Sequence, residues 1–330
     1  MSQDVRITSL LTAYNDGKHN AFTDLIRFRG KYYLTFRNCP DGHMLFTSSR
    51  ILVLSSEDTK SWEQVCAFNV PERDVRDPHF LAFRDRLYVL SGTWLVDPAD
   101  SHSTDLRDHQ GYAVWSEDGT EWHGPALLEG THGYYIWRAG ACGDMAYLIG
   151  RCVREFARPE GRQEVRESTE AWLLKSADGL HWQRAGLIQP QYGDEIAFQF
   201  ESDGSILAIA RGGVSAAGQV CRSIPPYTEW RRKSLERNIG GPLLAQWGGR
   251  YLVGGRRTVD PSKPRTVLYW LEDDTLVEFL ELPSGGDNSY PGFVGISPTQ
   301  GLLSYYSSHE GSGTSLAPSA IYLAELTIAR

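Results

Sequence analysis

DEIAFQFESDGSILAIAR, residues 194–211, carries the plan that the rest of the chain repeats. Asp194-Glu195 opens an alternating segment, Asp203-Gly204 supplies a tight turn, and ILAIAR runs back as a second strand that ends on Arg211. Alternation on both sides of an Asp-Gly pair predicts a β-hairpin. The same order of strand, turn and strand recurs at 19–37 (HNAFTDLIRFRGKYYLTFR), 76–94 (RDPHFLAFRDRLYVLSGTW), 134–151 (YYIWRAGACGDMAYLIGR), 240–256 (GGPLLAQWGGRYLVGGR) and 288–308 (NSYPGFVGISPTQGLLSYYSS). Further strands follow at RILVLSS (50–56), YAVWS (112–116), AWLLKS (171–176), TVLYWLEDD (266–274) and AIYLAELTI (320–328).

Six such units in 330 residues leave about 55 residues to each, and a unit of four strands cannot bury both of its faces alone. The expected architecture is all-β: a single six-bladed β-propeller over residues 1–330, with four-stranded antiparallel blades, in which VRITSLL (5–11) completes the last blade. A β-sandwich or barrel would need no repeat of this period. Composition agrees, since aromatics make up 12% of the chain, with 10 Trp, 16 Tyr and 33 Gly.

A net charge of -8 without any lysine- or arginine-rich run argues against nucleic acid, whose binding requires phosphate neutralisation. No run of 18 apolar residues is present, and the first residues, MSQDVRITSLL, lack a basic start and an apolar core. A cytoplasmic protein without a membrane partner is expected, its oligomeric state left open. Five widely spaced cysteines with no CxxC pair predict reduced thiols, and neither a metal nor another cofactor is expected.

SEDTKSW (56–62), SEDGTEW (116–122) and SADGLHW (176–182) share Ser-x-Asp-x-x-x-Trp, and SIPPYTEW (223–230) is a divergent fourth copy. In such a segment Ser and Asp bond to the local backbone, Gly takes a positive φ and Trp anchors the turn, a structural device without a catalytic role. The three segments resemble the Asp-box (BNR) repeats of the sialidase (neuraminidase) superfamily. DEIAFQFESDGSILAIAR and SYPGFVGISPTQGLLSYY (289–306) are similar to that family's catalytic segments. The resemblance implies a hydrolase of O-glycosyl bonds in which Tyr290 is the nucleophile, Glu195 its base, and Arg211 and Arg256 bind substrate. The family's early Arg-Ile-Pro motif would fall at HNAFTDL (19–25), where no arginine stands.

Apart from any family, Arg37, Arg151, Arg211 and Arg256 end the second strands of four units. Equivalent points of a propeller converge, so either salt bridges between blades or a cationic pocket for a carboxylate or hydroxyl-rich ligand follows. Asp24, Asp77 and Asp194-Glu195 open first strands and would balance that charge. Glycoside cleavage requires a proton donor and a nucleophile, and a tyrosine nucleophile requires an adjacent base because its reference pKa is near 10. Tyr290 with Glu195 meets that need, and Asp24 is the expected acid/base. His19, His43, His79 and His309 lie near strand ends; His19 and His79, with Asp77, are the further expected substrate contacts. Trp94, Trp137 and Tyr192 are candidates to stack on a sugar ring.

Hydrolysis of a terminal sugar, acidic or neutral, is the leading expectation, with a small carbohydrate as partner. A furanosidase-type hydrolase using Asp24, Asp77 and Glu195 is one alternative, to which Arg76-Asp77-Pro78 points. A non-catalytic carbohydrate-binding propeller is a second, and a uronate lyase a weaker third.

Overall fold

The computed structural model describes residues 5–97, 99, 105–213, 216–260, 262–311, 316 and 318–329. They form six four-stranded antiparallel sheets, the blades of a β-propeller. Blade one comprises His19–Phe28, Lys31–Cys39, Arg50–Ser56 and Glu63–Phe68. Blade two comprises Arg73–Phe83, Arg86–Leu95, Gln110–Ser116 and His123–Leu127; blade three, Tyr135–Cys142, Met145–Val153, Thr169–Ser176 and Gln183–Gln189. Blade four comprises Ile196–Phe200, Ile206–Gly212, Ala216–Ser223 and Arg231–Ser234; blade five, Gly240–Trp247, Arg250–Arg257, Arg265–Glu272 and Thr275–Glu281. Blade six joins Asn288–Ser297, Gln300–Ser307 and Ala320–Ile328 to Val5–Tyr14, which pairs antiparallel with Ala320–Ile328. Each first strand touches the first strands of both neighbouring blades, so the six close a ring around the axis.

Every blade is covered on both faces by its neighbours, which is why inner strands are buried continuously rather than alternately. Lys31–Cys39 is buried along nearly its whole length, whereas the outermost Arg231–Ser234 is exposed throughout. Between blades one and two, Tyr33, Ile51 and Val53 meet Val75, Phe80 and Val89; between two and three, Leu81 and Leu90 meet Ile136 and Leu148. The Ser-x-Asp-x-x-x-Trp segments form the outer turns of blades one to three. Asp118 Oδ1 accepts from the amides of Thr120 and Glu121, Ser116 Oγ accepts from Gly119, and Gly119 has φ +81°. Gly119 also lies where a Cβ would strike the Tyr33 hydroxyl of blade one.

The inner strands share one irregularity. In blades one, two, three, five and six the register against the second strand slips by one residue, at Ala21/Asp24, Arg76/His79, Ile136/Ala139, Gly240/Leu243 and Ser289/Gly292. Such a β-bulge sets two residues opposite one and re-aims the side chains on either side. Phe22, Asp77, Gly241 and Tyr290 stand at four of these bulges with φ between 49° and 62°. Blade four runs from Ile196 to Phe200 without a slip.

The five cysteines are free, and burial pushes the thiols of Cys66 and Cys152 up to about 11. Among the described residues no helix is long and apolar enough to cross a membrane.

Arg37, fully buried, ties blade one to blade two. Its Nε and Nη2 donate to the two oxygens of Asp74 at 3.0 and 2.6 Å, and its other hydrogens meet Gly42 O, Met44 O and His19 Nδ1. Removing one member of a buried, fully hydrogen-bonded pair strands the other charge. Asp74→Asn and Arg37→Met are each expected to lower stability in urea unfolding by about 3–5 kcal/mol, and Arg37→Met with Asp74→Leu to restore much of it.

Candidate active site

Tyr290 occupies the bulge of blade six with φ 53°, and its hydroxyl donates to Glu195 Oε1 at 2.7 Å. Glu195 opens blade four; its Oε2 accepts from Arg211 Nη1 and the Gly241 amide, both at 2.8 Å. The Tyr290 ring passes so close to Gly241 that a Cβ there would lie 2.7 Å from it, and Phe22 and Trp137 pack edge-on at 5.0 and 5.4 Å. Burial raises the Tyr290 hydroxyl well above its ordinary value, and Glu195 adds to the effect against the pull of Arg211 and Arg256. Burial opposes ionisation of Glu195 too, but Arg211, Arg151 and the Tyr290 hydrogen bond hold its carboxyl well below the usual range. The resting pair is therefore phenol and carboxylate, with one proton between them.

Four guanidiniums surround this pair. Arg211, its side chain 14% exposed, also donates from Nε to Gly213 O at 3.2 Å and lies 3.5 Å from Asp194 Oδ2. Arg151 bonds Asp194 through Nη1 and lies over the Tyr135 ring at 4.9 Å. Arg256 lies 5.3 Å over the Tyr290 ring; it donates to Asn288 O at 2.9 Å, Tyr306 Oη at 3.1 Å and Asp287 Oδ1 at 3.4 Å. Arg76 stacks over Phe22 at 5.0 Å and reaches His43 Nε2 at 3.5 Å. Nη2 of Arg151, Nη2 of Arg211 and Nη1 of Arg256 make no hydrogen bond to any described residue. Four cations thus face the carboxylates of Asp194, Glu195 and Asp287, leaving an excess of positive charge whenever Asp77 carries its proton.

Asp287, just before blade six, gathers a second shell. Its Oδ2 accepts from His19 Nε2 at 2.9 Å and His43 Nδ1 at 2.7 Å, and its Oδ1 from Tyr306 Oη at 2.8 Å. Arg37 donates toward His19 Nδ1, so His19 carries its hydrogen on Nε2; burial lowers its pKa to about 4. The His19, His43 and Asp287 donor atoms lie within 4.8 Å of one another, but Arg37, Arg76 and Arg256 adjoin them and repel a cation.

Asp77 differs from the other acids. Its Oδ2 accepts from the Tyr135 hydroxyl, while Oδ1 is buried without a partner among the described residues. Burial pushes the carboxyl up to about 7 in spite of Arg76, and Glu195 adds to the rise.

The expected acid/base, Asp24, lacks the properties of a proton donor. Both its oxygens are occupied, Oδ1 by the Leu25 amide and Arg138 Nη1 at 3.0 Å and Oδ2 by the Phe80 amide at 2.9 Å. Burial alone would raise its pKa, but Arg138 and His79 hold it below the ordinary value. Arg37 has no donor left for a ligand, and His19 and His79 are buried, with ring nitrogens at Asp287 and Asp24 respectively. His79 lies against Asp24 and Trp137, with burial lowering its pKa to about 4. Trp94 and Trp137 pack against His109 and Tyr290, whereas Tyr192 lines a cleft beside Arg151 and Asp194. His309 bonds Ser307 Oγ and packs on Tyr322. The sequence reading names Arg76 only within Arg76-Asp77-Pro78 and gives no site role to it or to Tyr135, Asp287 and Tyr306; the signal for Asp287 is its place just before a first strand, matching Asp194.

No protein-family model matches the chain, and no curated protein does so. Among solved structures, the fold is similar to that of Trypanosoma rangeli sialidase, with TM-score 0.67 and 12% identity over 97% of this chain and 58% of that one. Further structures of that sialidase hold sialic acid or a covalent intermediate with 2,3-difluorosialic acid. A Hadza microbial sialidase matches with TM-score 0.63 and 14% identity over 94% of this chain and 66% of that chain. A Bombyx mori GH32 beta-fructofuranosidase matches with TM-score 0.50 and 13% identity over 92% and 61%. The chain spans about three fifths of the length of the Trypanosoma rangeli enzyme, and at these identities the likeness is one of fold, that of a sialidase-like or glycosidase propeller.

Proposed function

We propose that the protein hydrolyses the glycosidic bond of a terminal acidic sugar, with Tyr290 as nucleophile, Glu195 as its base and Asp77, in place of Asp24, as the acid/base. The observation that carries this reading is the 2.7 Å hydrogen bond from Tyr290 to Glu195 inside a ring of guanidiniums. The sialic acid held by a protein of the same fold supports an acidic sugar as substrate class.

In the first step Tyr290 Oη bonds to the anomeric carbon and gives its proton to Glu195, while the bond to the leaving oxygen breaks and that oxygen takes the proton of Asp77. Arg256 over the ring stabilises negative charge as it develops on the phenol oxygen. In the second step water gives a proton to Asp77 and attacks the same carbon; the Tyr290 bond breaks, and the phenolate recovers its proton from Glu195. Two displacements retain the anomeric configuration. The unoccupied hydrogens of Arg76, Arg151, Arg211 and Arg256 receive the substrate carboxylate. A furanosidase using three carboxylates is less well supported, because both oxygens of Asp24 are already engaged.

On a panel of fluorogenic glycosides, release is expected from N-acetylneuraminic acid or another acidic sugar and not from neutral furanosides, with the retained anomer first seen by NMR. Tyr290→Phe and Glu195→Gln should lower kcat/KM by about 10³-fold or more, whereas Asp24→Asn should cost less than about tenfold in a folded protein. Full activity in Tyr290→Phe with loss in Asp24→Asn would overturn the roles.

The raised pKa of Asp77 fixes two pH dependences. Activity needs its protonated form, so kcat/KM should fall as pH rises through about 7. Because the folded value lies above the ordinary 3.8, the stability of the protein relative to Asp77→Asn is greatest at or below about pH 4. It should decline by up to about 1.4 kcal/mol per pH unit as pH rises toward 7 and level off above, a trend that urea midpoints of the two proteins measure.

A further inference from the structure

Between Asp77 and the wall of blade three lies a contact that the roles above leave unused. The Tyr135 hydroxyl bonds Asp77 Oδ2, and a phenol with a reference pKa near 10 is the donor in that bond. Oδ2 is therefore an acceptor, and when the carboxyl is neutral its hydrogen belongs on Oδ1, the buried oxygen without a partner among the described residues. We infer that Tyr135 is a positioning residue that keeps the transferable proton of Asp77 on Oδ1; the inference rests on Asp77 being the acid.

The surroundings hold Tyr135 in that role. Its ring lies against Gly92, where a Cβ would come to 3.0 Å from Tyr135 Cε2, so a larger residue there would press on the ring. Trp94 and His109 pack on it at 5.4 and 4.9 Å, and the Arg151 guanidinium covers it at 4.9 Å. His109 is fully buried with neither ring nitrogen partnered among the described residues; burial, with Arg151 and Arg73, lowers its pKa well below the ordinary value, so it adds no charge. The charged and titratable groups that act on Asp77 are Arg76 on its own strand, Arg37 of blade one, Arg151 of blade three and Glu195 of blade four, with Tyr290 of blade six facing it. Of these and Tyr135, only Tyr135 makes a hydrogen bond to the carboxyl.

Phenylalanine at 135 would keep the packing and remove the donor. The ionised carboxyl would lose a hydrogen bond that favours it, and the neutral one would have no reason to prefer Oδ1. The test is carboxyl-carbon NMR of protein labelled with [13C]aspartate, the Asp77 signal being the one lost in Asp77→Asn. Its midpoint is expected to rise in Tyr135→Phe by about one to two pH units. A midpoint that stays or falls overturns the inference. Should Tyr135→Phe not fold, 3-fluorotyrosine placed at 135, a stronger donor of similar size, is expected to lower the midpoint, and no change overturns it.

On any glycoside the protein cleaves, the basic limb of kcat/KM against pH should move with the midpoint, and kcat should fall at least about tenfold. A limb that stays while the midpoint moves would remove Asp77 from the reaction. A moved midpoint in a protein inactive on every glycoside would overturn the glycosidase reading and leave the proton placement standing.

Discussion

An arginine cannot shed its charge when it is buried, and a closed ring of inner strands offers it little water. That constraint governs the channel of this propeller. Each guanidinium at the end of a second strand must meet a carboxylate or leave a hydrogen unused, and the blades differ in which outcome they reach. Arg37 is fully matched and becomes a brace between blades. Arg151, Arg211 and Arg256 are matched only in part: Arg211 bonds Glu195, which shares a proton with Tyr290, Arg151 bonds Asp194, and Arg256 bonds Tyr306 and lies over the Tyr290 ring. Structure and chemistry here are two degrees of completion of one ion-pair motif.

The same constraint separates three of the buried aspartates, Asp24, Asp77 and Asp287. Asp24 and Asp287 are each held by several donors, which keep their carboxyls below the ordinary value. Asp77, with one donor and one orphaned oxygen, is the acid that burial can keep neutral. Neutral and anionic carboxyls side by side are what acid and base roles in one pocket require.

Much of this was legible in the residues. Three of the six inner hairpins announce themselves by Arg-Gly, Asp-Gly and Gly-Gly turns between alternating segments; Glu195, Arg211 and Arg256 stand at recognisable points of the repeat, and Tyr290 is marked by the family resemblance of its segment. What stayed hidden is the choice among equivalents. Asp24 and Asp77 both open first strands, but Asp77 is the first residue of its bulge, whereas Asp24 follows the bulge at Phe22 and is turned toward Arg138 and Phe80. Alternation cannot register a one-residue slip. Likewise nothing local distinguishes Arg37 from Arg151, because the difference is the partner Asp74, thirty-seven positions away. Tyr135 reads as one more core aromatic until the blade beside it is in place.

The bulges have a consequence for how the ring is put together. A bulge absorbs one surplus residue in the innermost strand while the second strand and everything outside it keep their pairing. At Phe22, Asp77, Gly241 and Tyr290 the inner strand therefore carries a residue that the second strand does not match, and Phe22 and Tyr290 pack into the core of the ring as well. Blade four, which has no such slack, is the blade that holds Glu195 and Arg211. The ring thus combines one blade whose inner register is fixed with five whose inner strands carry a surplus residue beside an unchanged outer scaffold.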